Sequence, residues 1–268
     1  MLTGGTTLVG LLGDPVSHSL SPLMQNAAFA ARGLDWAYVP LRVEQERLEA
    51  AVAGLVALAF AGANVTTPHK TAVLAFCDEL DESAERAGSV NTLVVRGGRV
   101  HGSTTDGLAV VQEVDAQGRH VLVLGAGGAA QAVATALAEA GAALLVVAAR
   151  DGERAHALVA RLHSVFPDRE ITAADRWSPE AQGGEIIVNA TPVIDEPLVA
   201  FRPEQAAVDL AYRGDGAATA FVEAARAAGC ATVVDGLDVL VGQGAASFER
   251  WTGVKAPVDV MRRALRGV

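Results

Sequence analysis

Val121-Leu122-Val123-Leu124-Gly125-Ala126-Gly127-Gly128-Ala129-Ala130 is the stretch whose reading decides the fold. Four apolar β-type residues end in a glycine turn and pass directly into an alanine-rich helical pattern. An uninterrupted apolar run of this kind suits a parallel strand buried on both faces. In such a strand–turn–helix setting the first Gly makes the turn and the second lets backbone N–H groups approach a pyrophosphate. The small residues that follow let the helix pack on the strand. Gly125, Ala126, Gly127, Gly128 and Ala129 are therefore candidate cofactor contacts, and Ala130 is an accepted replacement at the last position. Glycine spacing alone means little in a chain that carries 28 Gly. The strand before it and the helix after it are what make it a dinucleotide site.

The next strand selects the cofactor. An NAD site normally ends this strand with Asp or Glu, whose carboxylate accepts the ribose hydroxyls. Here the strand Leu144 to Ala148 runs into Ala149 and Arg150, with Arg154 one helical turn later. A guanidinium suits a 2′-phosphate and leaves the NAD ribose without its usual acceptor. Ala149, Arg150 and Arg154 join the candidate set, and the expected cofactor is NADP (NADPH). Asp151, next door, leaves NAD open.

Outward from this turn, short apolar runs alternate with helical patterns, which predicts an α/β protein. Upstream, Leu8 to Leu12, Trp36 to Leu41 and Ala59 to Val65 read as strands. Pro22 to Ala31, Glu44 to Leu58 and the short Lys70 to Phe76 read as helical. Asn91 to Val95 and Arg99 to Gly102 read as a pair around the Gly97-Gly98 turn. Downstream, a helix from Glu153 to His163 precedes strands near Ile186 to Val188 and Val208 to Leu210. A helix over Thr219 to Ala228, a strand at Thr232 to Val234 and a helical tail from Leu240 complete the pattern. The expectation is two domains. An open, mostly parallel sheet forms from residues 1–105 together with 239–268, and a Rossmann-type dinucleotide domain from residues 106–238.

Composition excludes several classes. The net charge of -10 and the absence of a dense Lys/Arg run argue against nucleic acid as a partner. No apolar run reaches the ~20 residues that span a bilayer, and Met1-Leu2-Thr3-Gly4-Gly5 lacks signal-peptide order. A cytoplasmic protein without membrane partners is expected. Cys77 and Cys230 lie in apolar stretches and read as buried free thiols, and no Cys/His spacing suits a metal.

Polar clusters fall at the predicted strand ends, where open α/β sheets collect ligands. They are Ser17-His18-Ser19-Leu20-Ser21-Pro22, Asn64-Val65-Thr66-Thr67-Pro68-His69-Lys70, Val90-Asn91-Thr92 and Gly102-Ser103-Thr104-Thr105-Asp106-Gly107. Singly each is ordinary: Ser21 by default caps a helix, Asn91 is a turn residue and Lys70 a solvated side chain. Converging, they would form a pocket for a polyhydroxylated acid.

These clusters, in this order, resemble the shikimate dehydrogenase family over nearly the full length of the chain. Further matches are Gly13-Asp14-Pro15-Val16, Gly88-Ser89, Asn189-Ala190-Thr191-Pro192, Gly236-Leu237, Gln243-Gly244-Ala245 and Trp251-Thr252-Gly253. The resemblance implies reversible NADP-linked reduction of 3-dehydroshikimate to shikimate, in aromatic amino-acid biosynthesis, with two domains flanking a cleft. It implies that Ser19 and Ser21 hold the substrate carboxylate, that Asn64, Thr66, Asn91 and Gln243 bind ring hydroxyls, and that Tyr212 is a further substrate contact. Thr191, Leu210 and Gly236 would touch the cofactor, and Lys70 and Asp106 would be the catalytic pair. The resemblance permits either a monomer or a homodimer, and no feature of the sequence decides between them.

The proposed chemistry follows from charge. Hydride reaching a carbonyl carbon builds an alkoxide, so a proton donor must lie within hydrogen-bond reach of that oxygen. A Lys ammonium supplies both proton and positive field, and a neighbouring carboxylate favours its charged form. Four stretches depart from the family pattern: Thr104, Val193-Ile194-Asp195-Glu196, Arg213 to Ala218, and Asp238-Val239. They leave a quinate/shikimate or aminoshikimate dehydrogenase using NAD or NADP beside shikimate. Competing readings of other kinds are a non-catalytic cofactor-binding regulator and another Rossmann oxidoreductase acting on amino acids or alcohols, against which the paired serines and the order of the polar clusters speak. The intact Lys70 and Asp106 speak against the regulator.

Overall fold

The computed structural model describes residues 2–174, 177 and 184–267. The chain divides into two compact units, Met1–Thr105 with Val241–Val268, and Asp106–Leu240.

The first unit runs β1 (Thr7–Gly13), α1 (Ser21–Ala31), β2 (Trp36–Arg42), α2 (Leu48–Ala57), β3 (Gly62–Val65), β4 (Glu79–Leu80), α3 (Glu82–Ala87), β5 (Thr92–Arg96) and β6 (Arg99–Ser103). Its sheet has the order β2-β1-β3-β5-β6-β4. β1 pairs in parallel with β2 and β3, and β4 with β6, whereas β3–β5 and β5–β6 are antiparallel. Gly97 and Gly98 both take positive φ (57° and 77°), which is what a two-residue hairpin turn between β5 and β6 needs. Leu48, Val52 and Leu55 of α2 pack with Leu12, Ala63, Val65 and Leu93 into one buried cluster.

The helix expected from Glu44 is shorter. Gln45–Arg47 is a 3-10 turn and α2 begins at Leu48. β3 starts at Gly62 rather than Ala59, because Ala59 sits at φ 54° and ends the helix. Lys70 to Phe76 contains only a 3-10 helix, Ala72–Phe76. β4 and α3 were not expected. α3 begins where the Asp81 side chain accepts from Ala84 N.

The second unit runs α4 (Asp106–Val111), β7 (His120–Leu124), α5 (Gly128–Glu139), β8 (Leu144–Ala148), α6 (Gly152–Val165), β9 (Glu170–Ala173), β10 (Ile186–Asn189), β11 (Ala206–Asp209), α7 (Ala220–Ala227) and β12 (Thr232–Val234). The order β12-β11-β10-β7-β8-β9 is parallel throughout. It reverses beside β7, giving the doubly wound arrangement whose switch point lies at the β7 turn. The two-residue period of a strand decides the packing. Val121 and Val123 face a cluster with Val133, Leu137, Leu158 and Leu162, while Leu122 and Leu124 face Ile187, Phe221 and Ala225. β9 and α4 were not anticipated, since β9 carries only four residues and has Glu170 and Thr172 among its apolar ones.

The tail from Leu240 is two helices, α8 (Gly236–Thr252) and α9 (Val258–Arg266). α8 starts in the second unit and continues in the first from Val241. In the first unit Phe248 of α8 stacks on Phe29 of α1, with ring centroids 5.3 Å apart. Trp251 Nε1 donates to Leu93 O at 2.9 Å. Both cysteines are free but half-buried rather than fully buried, and burial pushes the Cys77 thiol up to about 11, with Asp78 adding to the effect. Among the described residues no helix is long and apolar enough to cross a membrane, and no group of His, Cys, Asp and Glu could hold a metal.

Candidate active site

In the first unit the polar clusters lie on the loops that follow β1, β3 and β6 and just ahead of β5. β1 ends at Gly13, where a Cβ would fall 2.3 Å from the Thr66 methyl and 3.1 Å from Thr67 O. This glycine lets the loop carrying Ser19 lie against the loop carrying Thr66, and Asp14 N donates to Thr67 O at 3.0 Å. Both loops contain a cis X–Pro bond, Asp14–Pro15 and Thr67–Pro68. Ser21 does not cap α1, contrary to the default reading. It is the first residue of the helix, the cap position is Leu20, and no side chain caps it. Ser21 is buried, and its N–H donates to Ser19 Oγ at 3.2 Å.

Lys70 is half-buried and its backbone is fixed on two sides. Its carbonyl accepts from Val90 N at 2.8 Å. The neighbouring His69 is fully buried, with Nε2 2.6 Å from Val43 O beyond β2.

Asn64, Asn91 and Gln243 meet in a buried network. Asn91 Nδ2 donates to Gln243 Oε1 (3.3 Å) and Thr105 Oγ1 (2.9 Å), while Asn91 Oδ1 accepts from Thr105 N (2.9 Å). Asn64 Nδ2 lies 3.0 Å from both Asn91 O and Ser247 Oγ, and Asn64 Oδ1 accepts from the Tyr38 hydroxyl at 2.9 Å. Thr92 Oγ1 bonds Asn91 Oδ1 (2.9 Å) and contacts Ser247 Oγ (2.8 Å). Sequence reasoning missed Tyr38, Thr92, Thr105 and Ser247. Ser247 had a signal, since it stands four residues after Gln243 on one helix face, and Thr92 and Thr105 lay inside the matched motifs. Tyr38 had none. Thr104, the first departure, is held by its backbone, with its N–H donating to Ser83 Oγ at 3.1 Å. Its own hydroxyl is buried without a partner among the described residues.

In the second unit Asp106 is buried and opens α4. Gly107 behind it packs on α5, where a Cβ would lie 2.5 Å from Ala132 O. The β7 turn is shaped by Gly125, at φ 116° and with N–H donating to Ala148 O at 2.7 Å. A Cβ on Gly127 would meet nothing within 4 Å, so this backbone faces open space. α5 has no side-chain cap and no acid in its first turn. Its first N–H groups are therefore available to an anion, and the helix dipole favours one there. Ala129 is half-buried at the same helix start. Beyond β8, Ala149 is half-buried and Arg150 and Arg154 are exposed. Asp151 caps α6, accepting from Glu153 N and Arg154 N at 3.1 and 3.3 Å, so its carboxylate is engaged with the helix. These features fit a dinucleotide with a 2′-phosphate.

Thr191, Leu210, Tyr212 and Gly236 follow β10, β11 and β12 and are half-buried apart from the buried Gly236. A Cβ on Gly236 would lie 2.0 Å from Ala211 O, so only glycine permits this approach. Asn189 Nδ2 donates to Asp209 Oδ1 at 2.9 Å. Burial pushes the Asp209 carboxyl up to about 6, while donors from Thr219, Ala211 and Asn189 pull it down and Asp235 adds upward pressure. Two departures from the family pattern meet here: Arg213 Nη1 lies 2.6 Å from Asp195 Oδ1.

Three family descriptions match the chain. Residues 11–93 match the shikimate dehydrogenase substrate binding domain, 108–201 match shikimate/quinate 5-dehydrogenase, and 236–266 match the shikimate 5′-dehydrogenase C-terminal domain. The chain is 47% identical to a protein of Rubrobacter xylanophilus named shikimate dehydrogenase (NADP(+)), over 99% of this chain and 98% of that one. The chain belongs to the shikimate dehydrogenase family. A second family member so named, from Moorella thermoacetica, is 44% identical over 97% of this chain and 93% of its own. The crystal structure of a family member from Thermus thermophilus, in complex with NADP(H) and shikimate, superimposes with a TM-score of 0.87 at 36% identity, covering 98% and 99% of the two chains.

Proposed function

We propose that this chain catalyses the reversible NADP-dependent interconversion of 3-dehydroshikimate and shikimate, a step of aromatic amino-acid biosynthesis. The observation that carries this reading is its near-full-length likeness to proteins named for that NADP-linked activity. Residues 106–238 act as the dinucleotide domain, and residues 1–105 with 239–268 as the substrate domain. Backbone N–H groups of Ala126, Gly127, Gly128 and Ala129 take the pyrophosphate at the uncapped start of α5, while Gly125, whose own N–H is bound to Ala148 O, shapes the turn that brings them there. Arg150 and Arg154, beside Ala149, take the 2′-phosphate, because neither is ion-paired with a described residue and Asp151 is engaged as a cap. Thr191, Leu210 and Gly236 serve the nicotinamide end. The bound cofactor supplies the hydride.

Ser19 and Ser21 hold the substrate carboxylate, and Asn64, Thr66, Asn91, Gln243 and Tyr212 hold the ring hydroxyls. The network around Asn64 and Asn91 fixes their orientation before substrate arrives, which lowers the ordering cost of binding. Lys70 donates the proton to the developing alkoxide and, in the oxidative direction, takes it back as the neutral amine. Asp106 is the other member of the catalytic pair. Quinate or an amino analogue is the weaker reading, since the relatives above carry the shikimate name. Initial rates with shikimate and with quinate, each with NADP and with NAD, test the proposal. Fast oxidation of shikimate with NADP is expected. No oxidation of either acid, or a large preference for quinate with NAD, would overturn it.

A further inference from the structure

Asp209 stands apart from the residues assigned above. It and Asn189 are paired neighbours at the ends of the parallel strands β11 and β10, and both are fully buried. Asp209 Oδ1 accepts from Asn189 Nδ2 (2.9 Å) and Ala211 N (2.8 Å), while Oδ2 accepts from Thr219 Oγ1 at 2.5 Å. The connections continue outward from each partner. Asn189 Oδ1 accepts from the N–H and hydroxyl of Thr191, at 3.0 and 2.7 Å. Thr219 caps α7 through Val222 N. A single carboxylate thus ties the turn after β10 to both ends of the loop after β11. Its hydrogen-bond partners are neutral donors, which an acceptor-only carboxylate satisfies on both oxygens.

We propose that Asp209 is a positioning residue for the reaction, holding Thr191, Leu210 and Tyr212 in one fixed arrangement toward the nicotinamide end of the cofactor and the substrate. The proposal rests on the functional reading above. Asp209 is buried with both carboxylate oxygens engaged by Asn189, Ala211 and Thr219, so it acts through them. Placement this close to the strand ends matters because a displacement of about 1 Å at a reacting centre costs on the order of a hundredfold in rate. An isosteric amide would fill the same volume, yet its NH2 edge would have to face the Thr219 hydroxyl that now donates to Oδ2. Space-filling alone therefore does not require Asp here.

The test compares wild type, Asp209→Ala, Asp209→Asn and Thr219→Val in the full-length protein. Wild-type shikimate oxidation is measured first, and its absence would refute the functional reading rather than this one. With activity present, Asp209→Ala is expected to lower kcat at least tenfold while KM for NADP changes less than about threefold, because the phosphate contacts are untouched. Asp209→Asn and Thr219→Val should fall between it and wild type. In the cofactor-free protein, amide hydrogen exchange should speed up in residues 190–193 and 211–219 and stay unchanged over 121–139. Unchanged kcat in Asp209→Ala, or exchange that rises throughout the unit, would overturn the proposal. If Asp209→Ala does not fold, Thr219→Val decides: a smaller loss of kcat with KM for NADP held within about threefold supports the proposal, and unchanged kcat overturns it.

Discussion

Replacing Asp209 with Asn should stabilise the protein at neutral pH, and the gain should vanish in acid. Burial moves this carboxyl from an ordinary 3.8 to about 6 in the folded state. A folded-state value above the unfolded one means that the native protein holds the proton more tightly. The stability from this group is then fully present below about pH 4 and is lost as pH rises through about 6. At about 1.4 kcal/mol per tenfold, carrying the buried charge at pH 8 costs on the order of 3 kcal/mol relative to the unfolded chain. Asn never ionises, so the variant avoids that cost. Its amide must face the Thr219 hydroxyl and loses about 1 kcal/mol of hydrogen bonding there. The variant should therefore be about 2 kcal/mol more stable than wild type at pH 8 and about 1 kcal/mol less stable at pH 4. Urea unfolding followed by circular dichroism across that range measures the difference directly. A difference that stays constant with pH, or one that grows in favour of Asn as the pH falls, would refute the argument. The expected pairing of higher stability with slower turnover is what a buried charge kept for positioning should show.

Lys70→Ala should lose turnover by a hundredfold or more, in the range typical of a removed general acid, with a much smaller change in shikimate KM. Near-normal turnover in steady-state assays would remove Lys70 from the mechanism. Gly127→Ala adds a Cβ into open space at an ordinary φ of -86°, so the melting temperature should hold while KM for NADP rises about tenfold or more. Arg150→Gln should reduce the preference for NADP over NAD, read as the ratio of the two kcat/KM values, with little change in the NAD value. Gly62→Ala drives a Cβ to 2.1 Å from Leu93 O and 2.7 Å from Trp251 Nε1, and should cost about 3 kcal/mol or more in denaturant unfolding.

Features that are local along the chain were legible in the sequence. The strand, glycine turn and helix of residues 121–139 form from neighbours, and their apolar period and small residues survive any arrangement of the rest. Arg150, standing just beyond β8 where an acid is usual, reads the same way. What stayed hidden depended on partners far apart in sequence. Asn64 bonds Ser247 across 183 residues, and Asn91 reaches Gln243 across 152. Asn189 read only as part of a matched motif, Asp209 as a strand residue and Thr219 as the start of a helix, until the parallel register set the first two side by side. Ser21, an expected cap, instead became a buried helical residue. The amino-acid order by itself determined the fold class, the cofactor turn and the residue types available for chemistry, because hydrophobic period and turn geometry act over a few residues. Only the tertiary structure decided which polar groups are spent on holding loops, because a buried hydrogen bond depends on the direction and distance that packing brings about.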